Sequence, residues 1–200
     1  MADDSEIVPR DVKEVAVNSF TMNQAVEAEG WRQVELWMQS VSGGRYTPLF
    51  DNDEAQRNGY DGLATIRGPE LRWELKCERE DKHGNFFFET WSNKDYRRRK
   101  PGWMKTCRAD WLLYYFIGPG DLYVIEFKPL WEWFFGVPPH PPAWWSYPER
   151  RQWRHDQLNK TFGHPVPFEV VARDVGFYHT RRDPATGRFS GVADTRKAVG

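Results

Sequence analysis

The sequence has few cysteines and no long apolar run. Only two cysteines occur among the 200 residues, and neither has a C-x-x-C partner, so neither a disulfide framework nor a zinc site is expected. No apolar stretch approaches the ~18–20 residues that span a bilayer. The acidic, mixed start of the chain is unlike a secretory signal. These absences predict a cytoplasmic protein without a membrane segment.

The sequence also has no excess of either charge. The formal net charge is −1, so a nucleic-acid-binding surface would have to be local. Glycine-rich phosphate loops of the Walker or dinucleotide-binding type are absent. The five histidines are scattered, with no pair at helical ligand spacing. Nucleotide-binding and zinc-enzyme classes are therefore disfavoured.

What the chain does contain is aromatic residues, eleven of them tryptophan, and elements of both secondary-structure types. A helix is predicted from Thr21 to about Val41, followed by strand-like segments, a helix and a further strand, which indicates a mixed α/β domain. We expect a polar arm over residues 1–20 and one domain over 21–179. Within it lies a Trp/Pro-rich insert at 129–153, and residues 180–200 have too little apolar surface to fold alone, which predicts a flexible tail.

One pair of strand-like segments carries charges of both signs. Glu74 and Lys76 are two apart and share a strand face, while Asp61 begins the preceding segment. If the Gly68-Pro69 turn joins the two as a hairpin, Asp61 can approach Glu74 only with the help of strand splay or a bulge. Either these are solvated charges on a hairpin, or they converge on a metal ion and a phosphodiester. Two carboxylates suit Mg²⁺, and an ammonium group can stabilise charge on a phosphate.

A wider series of short motifs resembles one known family. The series comprises YD at 60–61, WELK at 73–76, GNFFFE at 84–89, PGWMKT at 101–106 and ADW at 109–111. It is similar to the PD-(D/E)XK nuclease superfamily, most of all to a branch of small phage and bacterial members, over roughly residues 27–127. Tyr60 stands where many members have proline.

The resemblance implies a fold, a cofactor and a set of site residues. The fold would be α/β of the restriction-endonuclease-like kind, with a mixed central sheet flanked by helices. Asp61 and Glu74 would bind Mg²⁺, with Mn²⁺ as a substitute, Lys76 would be the catalytic lysine, and Glu89 an additional acid. Many members also use a helical glutamate. Glu27 falls on the apolar face of the predicted helix, and Glu35 remains the alternative.

A basic segment follows the proposed acidic site. Its candidate nucleic-acid-binding residues are Lys94, Arg97, Arg98, Arg99, Lys100 and Lys105. Beside a metal site such cations would hold backbone phosphates, whereas a charge run alone is most often a solvated loop.

These observations favour a Mg²⁺-dependent endonuclease that hydrolyses DNA phosphodiester bonds. A structure-selective junction resolvase is one alternative; it would require a two-fold dimer, for which the Trp-rich insert is a candidate homodimer interface. A non-cleaving binding module on the same fold is another, and an adaptor or inhibitor acting through the aromatic insert is a third. The type of nucleic acid and its strandedness are left open by the sequence.

Overall fold

A long first helix covers one face of the molecule. In the computed structural model the described residues are 10–43, 45–66, 68–80, 83–94, 99–152 and 161–197, with the side chains of residues 10–24, 27 and 197 outside the description. Helix α1 (Arg10–Ser42) begins well before the predicted start at Thr21. Residues 10–20, predicted as part of a polar arm, are therefore helical. The helix ends before Gly43, whose φ of 62° suits glycine at a helix C-terminus.

The central element is a mixed sheet of seven strands in the order β1-β2-β3-β6-β7-β10-β11. The strands are β1 (Tyr46–Pro48), β2 (Gly62–Thr65), β3 (Glu70–Glu78), β6 (Trp111–Phe116), β7 (Asp121–Glu126), β10 (Tyr178–Arg181) and β11 (Ala193–Asp194). β3 and β6 are parallel, and the other neighbours are antiparallel. A mixed central sheet flanked by helices was predicted and is confirmed.

A second sheet has four antiparallel strands in the order β5-β4-β9-β8. It consists of β4 (Asn85–Asn93), β5 (Lys100–Pro101), β8 (Arg150–Arg151) and β9 (Phe162–Pro167). Parallel neighbours need a long crossover, and here the crossover contains β4, β5 and the short helix α3 (Trp103–Thr106). The remaining described α-helices are α2 (Asp53–Arg57), α4 (Phe127–Phe135) and α5 (Phe168–Asp174), and short 3₁₀ helices cover Ala143–Ser146 and Thr195–Lys197.

The seven-stranded sheet separates two apolar cores. On one face, α1 packs through Val34, Trp37 and Met38 against Trp73 and other strand residues. On the other face, the core contains β4, α3, α4 and α5 side chains. Its members with no exposed surface are Phe86, Phe88, Met104, Leu112, Ile125, Leu130, Phe134, Val166 and Val171. Alternation along β3 therefore sends Trp73 and Leu75 towards α1, and Glu74 and Lys76 towards the second core.

The C-terminal segment belongs to the folded domain, so the prediction of a flexible tail from Thr180 is wrong for residues 180–197. β10 pairs with β7, and β11 pairs with β10. The buried Asp121 carboxylate accepts hydrogen bonds from the Arg181 guanidinium at 2.7 and 2.9 Å, and Arg196 contacts Glu126 at 2.8 Å. Backbone pairing and ion pairs anchor this segment, although its apolar content is low.

None of the described helices combines the length and apolarity needed to cross a membrane.

Candidate active site

Asp61 and Glu74 lie side by side at the start of β2 and the middle of β3. The antiparallel register pairs Gly62 with Trp73, and the Asp61 amide donates to the Trp73 carbonyl at 2.8 Å. The Asp61 side chain lies beside that of Glu74 and interacts with it directly. Two consecutive residues, Asp61 and Gly62, face Trp73, as in a β-bulge, which agrees with the expectation that splay or a bulge aids the approach. Both side chains are buried.

Two hydrogen bonds fix the Asp61 carboxylate. The Leu75 amide donates to Oδ2 at 2.8 Å, and the Gln56 side chain donates Nε2–H to Oδ1 at 2.7 Å. Gln56 is held by α2, where the Asn52 side chain caps the first turn by accepting from two backbone amides. Sequence reasoning missed Gln56, because a five-residue helix gives almost no periodic signal.

The Lys76 amine completes the group. Its Nζ lies 2.5 Å from Oε1 of Glu74, as the shared strand face predicts. The Trp103 ring of α3 lies under the amine, with its centroid 5.7 Å from Nζ. Asp61, Glu74 and Lys76 thus form one cluster of two acids and one base, on the face of β3 that is turned towards α3.

Burial and charge shape the protonation of this cluster. Burial raises the pKa of Glu74, and the neighbouring Asp61 carboxylate adds to the increase, although the Lys76 ammonium opposes it. Burial lowers the pKa of Lys76, but the carboxylates of Glu74 and Asp61 outweigh it and hold that pKa above its usual value. Lys76 is therefore an ammonium ion at neutral pH. It can donate hydrogen bonds and positive charge, but it has no free pair with which to accept a proton.

The Cys107 thiol beside the cluster is unsuited to nucleophilic chemistry or metal binding. Burial, reinforced by the Glu74 carboxylate, raises the pKa of Cys107 to about 12. Thiolates rather than thiols act as nucleophiles and ligands, and at neutral pH Cys107 stays protonated.

The donor set of the cluster fits Mg²⁺. Asp61 and Glu74 offer carboxylate oxygens, and within the described ranges no third His, Cys, Asp or Glu joins them as a metal-binding group. Mg²⁺ is commonly held by one or two carboxylates and takes its other ligands from water and substrate phosphate. Burial is the main cause of the raised pKa of Glu74 and Asp61 adds to it, so a bound cation would favour the ionised form of this carboxyl group.

Among the described side chains, Glu89 does not join Asp61 and Glu74 as a metal-binding group. Glu89 is buried on β4 of the second sheet, where it pairs in register with Gly163 and accepts a hydrogen bond from Ser92 at 2.5 Å. The Glu27 side chain lies outside the described residues. Glu35, the alternative, is half-buried on α1 and accepts from Gln39 at 3.2 Å. The roles of Glu89 and Glu27 stay predictions.

Gly102, the residue before α3, packs very closely against Glu89 of β4. A Cβ atom at Gly102 would lie 2.4 Å from the Glu89 carbonyl oxygen and 2.8 Å from its Cγ. Its φ of −81° suits any residue, so Gly102→Ala tests packing alone.

We expect Gly102→Ala to lower the free energy of unfolding by about 1–3 kcal/mol, measured by thermal or denaturant melting. Gly191→Ala is the control, because nothing lies within 4 Å of that position; equal stability of the two variants would contradict the packing.

Two of the four predicted phosphate-binding residues that are described lie over the same aromatic ring. Arg99 and Lys105 both lie over Trp91. The Lys94 amine contacts the Glu149 carboxylate, and Lys100 is exposed on β5. Arg97 and Arg98 lie outside the described residues. Sequence reasoning missed Trp91, whose only signal is its place at the end of an aromatic strand.

Comparison of the chain with protein-family models, with curated proteins and with solved structures finds no significant match.

Proposed function

We propose that the protein is a metal-dependent nuclease that hydrolyses DNA phosphodiester bonds. The observation that carries the proposal is the contact of the buried Asp61 and Glu74 carboxylates with each other and with the Lys76 amine. The resemblance of the motif series to PD-(D/E)XK nucleases supports the same chemistry and implies DNA as the substrate.

The carboxylates would hold Mg²⁺. When bound there, Mg²⁺ would supply a lowered pKa for a coordinated water and neutralisation of phosphate charge. Asp61 is oriented for this task by the Leu75 amide and by Gln56. Glu74 is positioned by the pairing of β3 with β2 and β6. A site built on central strands is held more precisely than one built on loops.

Lys76 would act by charge. As an ammonium ion it donates hydrogen bonds to the non-bridging phosphate oxygens, on which negative charge grows during hydrolysis, and it orients the attacking water. Because its pKa is held high by Glu74 and Asp61, it does not serve as the general base in the metal-free arrangement. Its interaction with Glu74 keeps the amine beside the carboxylates before substrate arrives.

A purely structural ion pair is the plain alternative, and burial argues against it. Two buried acids share one partly buried amine, and a buried ion pair adds little or nothing to stability compared with apolar residues. Such an arrangement is expected where the charges have a task, and perturbed buried carboxylates are typical of functional sites.

The test is a cleavage assay with Mg²⁺ on linear duplex, single-stranded and four-way-junction DNA, comparing wild type with Glu74→Ala. The wild type is expected to cut at least one substrate, and the variant none at a comparable rate. Cutting that survives Glu74→Ala would remove the proposed site. DNA binding without any cutting by the wild type would favour a non-cleaving module, and cutting confined to the junction would favour a resolvase.

A further inference from the structure

Two aromatic rings lie next to each other on one face of the second sheet. Trp91 of β4 and Phe162 of β9 are direct partners in the antiparallel register, so their side chains share a sheet face. Both are only partly buried, although a bulge between Glu89 and Trp91 alters the alternation at this end of β4. The result is a partly open aromatic pair at the edge of the domain.

Three cations cover these rings. The Lys105 amine lies 3.6 Å from the Trp91 ring centroid, and Cζ of Arg99 lies 4.3 Å from the same centroid. The Lys94 amine lies 5.0 Å from the Phe162 centroid. All three side chains are long and flexible, so they can swing away from the rings towards a ligand.

The cations outnumber their acidic partners. In the part of the chain that is described, Glu149 is the acid that contacts this group, through Lys94. Burial lowers the pKa of Lys105, and the charges of Arg99 and Lys94 lower it further, against the opposing effect of Glu149. Cations that repel one another around aromatic rings make a surface to which a polyanion with flat groups is complementary.

One turn of helix joins this surface to the candidate active site. Lys105 and Trp103 both belong to the four-residue helix α3. Lys105 covers Trp91, while the Trp103 ring lies under the Lys76 amine. The aromatic surface and the acidic cluster are therefore linked by contacts of the same short helix.

We propose that Trp91 and Phe162 form a stacking shelf for unpaired DNA bases, with Lys94, Arg99 and Lys105 holding the flanking phosphates. The inference rests on the proposed nuclease function and names its substrate class: DNA with a single-stranded segment. In a duplex each base face is covered by its neighbours, so exposed rings can stack only on bases that are unpaired. Stacking on aromatic side chains and a cationic groove along the backbone are the two features of single-strand binding surfaces.

The first test measures binding with EDTA present, so that it does not depend on hydrolysis. Fluorescence anisotropy compares a labelled oligo(dT) strand with a labelled blunt-ended duplex of two strands. Trp91→Ala is expected to weaken oligo(dT) binding roughly five- to a hundred-fold and to change duplex binding by less than about twofold, while Trp91→Phe retains most of the affinity. Trp145→Ala, at a ring that is 67% exposed on a different segment, is the matched control and should bind like wild type.

A second measurement addresses the cations. Arg99→Gln and Lys105→Gln should each reduce the slope of log K against log salt for oligo(dT) by about 0.7, the value per phosphate contact for single strands. Lys128→Gln is the control, since that side chain is 84% exposed on α4.

The outcomes separate the two proposals. The stacking proposal is overturned if Trp91→Ala loses equal affinity for both DNA forms or loses none. It is also overturned if the wild type binds duplex more tightly than oligo(dT). If Trp91→Ala selectively loses single-strand binding and the wild type cuts no DNA, the stacking proposal stands and the nuclease proposal is wrong. Melting curves confirm that each variant is folded.

Discussion

Replacing Lys76 with methionine is expected to slow Mg²⁺-dependent DNA cleavage by roughly a hundred- to a thousand-fold, the usual cost of removing one pre-positioned charged donor. Methionine keeps the length of the side chain and removes its charge. Glu74 then loses the ammonium group that lies 2.5 Å from its carboxylate. The pKa of Glu74 rises further, because the effect of burial is no longer opposed by that charge. The measurement is the single-turnover rate at saturating Mg²⁺ on the substrate that the wild type cuts best.

A second lysine provides the matched control. Lys128 lies 3.8 Å from Glu132 across one turn of α4, and its side chain is 84% exposed. Lys128→Met therefore removes a lysine–glutamate contact of the same kind from the surface, and it should leave the rate within about twofold of wild type, since exposed ion pairs contribute little. A folded Lys76→Met protein that cuts as fast as Lys128→Met would contradict the role given to the amine.

Mg²⁺ should stabilise the wild-type protein by binding to the folded state alone. At a hundred times the dissociation constant the gain is about 2.7 kcal/mol, which raises the melting temperature of a domain of this size by roughly 5–10 °C. Asp61→Asn and Glu74→Gln should each lose most of that increase, because each removes one of the two carboxylates on which the cation depends. The measurement is a thermal melt at pH 8 with and without Mg²⁺.

Glu132→Gln is the control for this experiment, because Glu132 is a helical acid paired with an exposed lysine. It should keep the full increase in melting temperature. If all of the variants gain as much from Mg²⁺ as the wild type does, the cation binds elsewhere, and the cluster is not its site.

The closeness of Glu74 and Lys76 in the candidate site was predictable from the sequence, for a simple reason. Strand alternation places residues two apart on one face, so the closeness of Glu74 and Lys76 follows from the pattern alone. A glycine–proline turn between two strand-like segments predicts the hairpin that brings Asp61 alongside. The exact register was not predictable, because it depends on the length of the turn and on the packing of Trp73 against Gly62, where a Cβ would lie 2.4 Å from the ring.

The partner of β4 lay beyond sequence reasoning. Its alternation is correct, with Phe86 and Phe88 fully buried, but a pattern of burial does not reveal which strand lies beside it. β4 pairs with β9, from a distant part of the chain, and joins the second sheet. For that reason Glu89, which the motif series places near the acids, lies on a different sheet from Asp61 and Glu74.

The C-terminal segment shows the limit of composition as a guide. Its low apolar content predicted flexibility, yet Thr180 is buried and its hydroxyl donates to the Ser190 carbonyl at 2.8 Å. Edge-strand pairing and contacts such as Arg181 with Asp121 depend on residues far apart in the sequence. Local composition does not report such long-range partners.

The most direct test of the central claim is anomalous diffraction from crystals grown with Mn²⁺, the expected substitute for Mg²⁺. The account predicts a strong peak within bonding distance of carboxylate oxygens of both Asp61 and Glu74, with the Lys76 amine beside it. Crystals in which Mn²⁺ binds only elsewhere, or in which Glu74 and Lys76 stay paired with no peak between the carboxylates at saturating Mn²⁺, would contradict it.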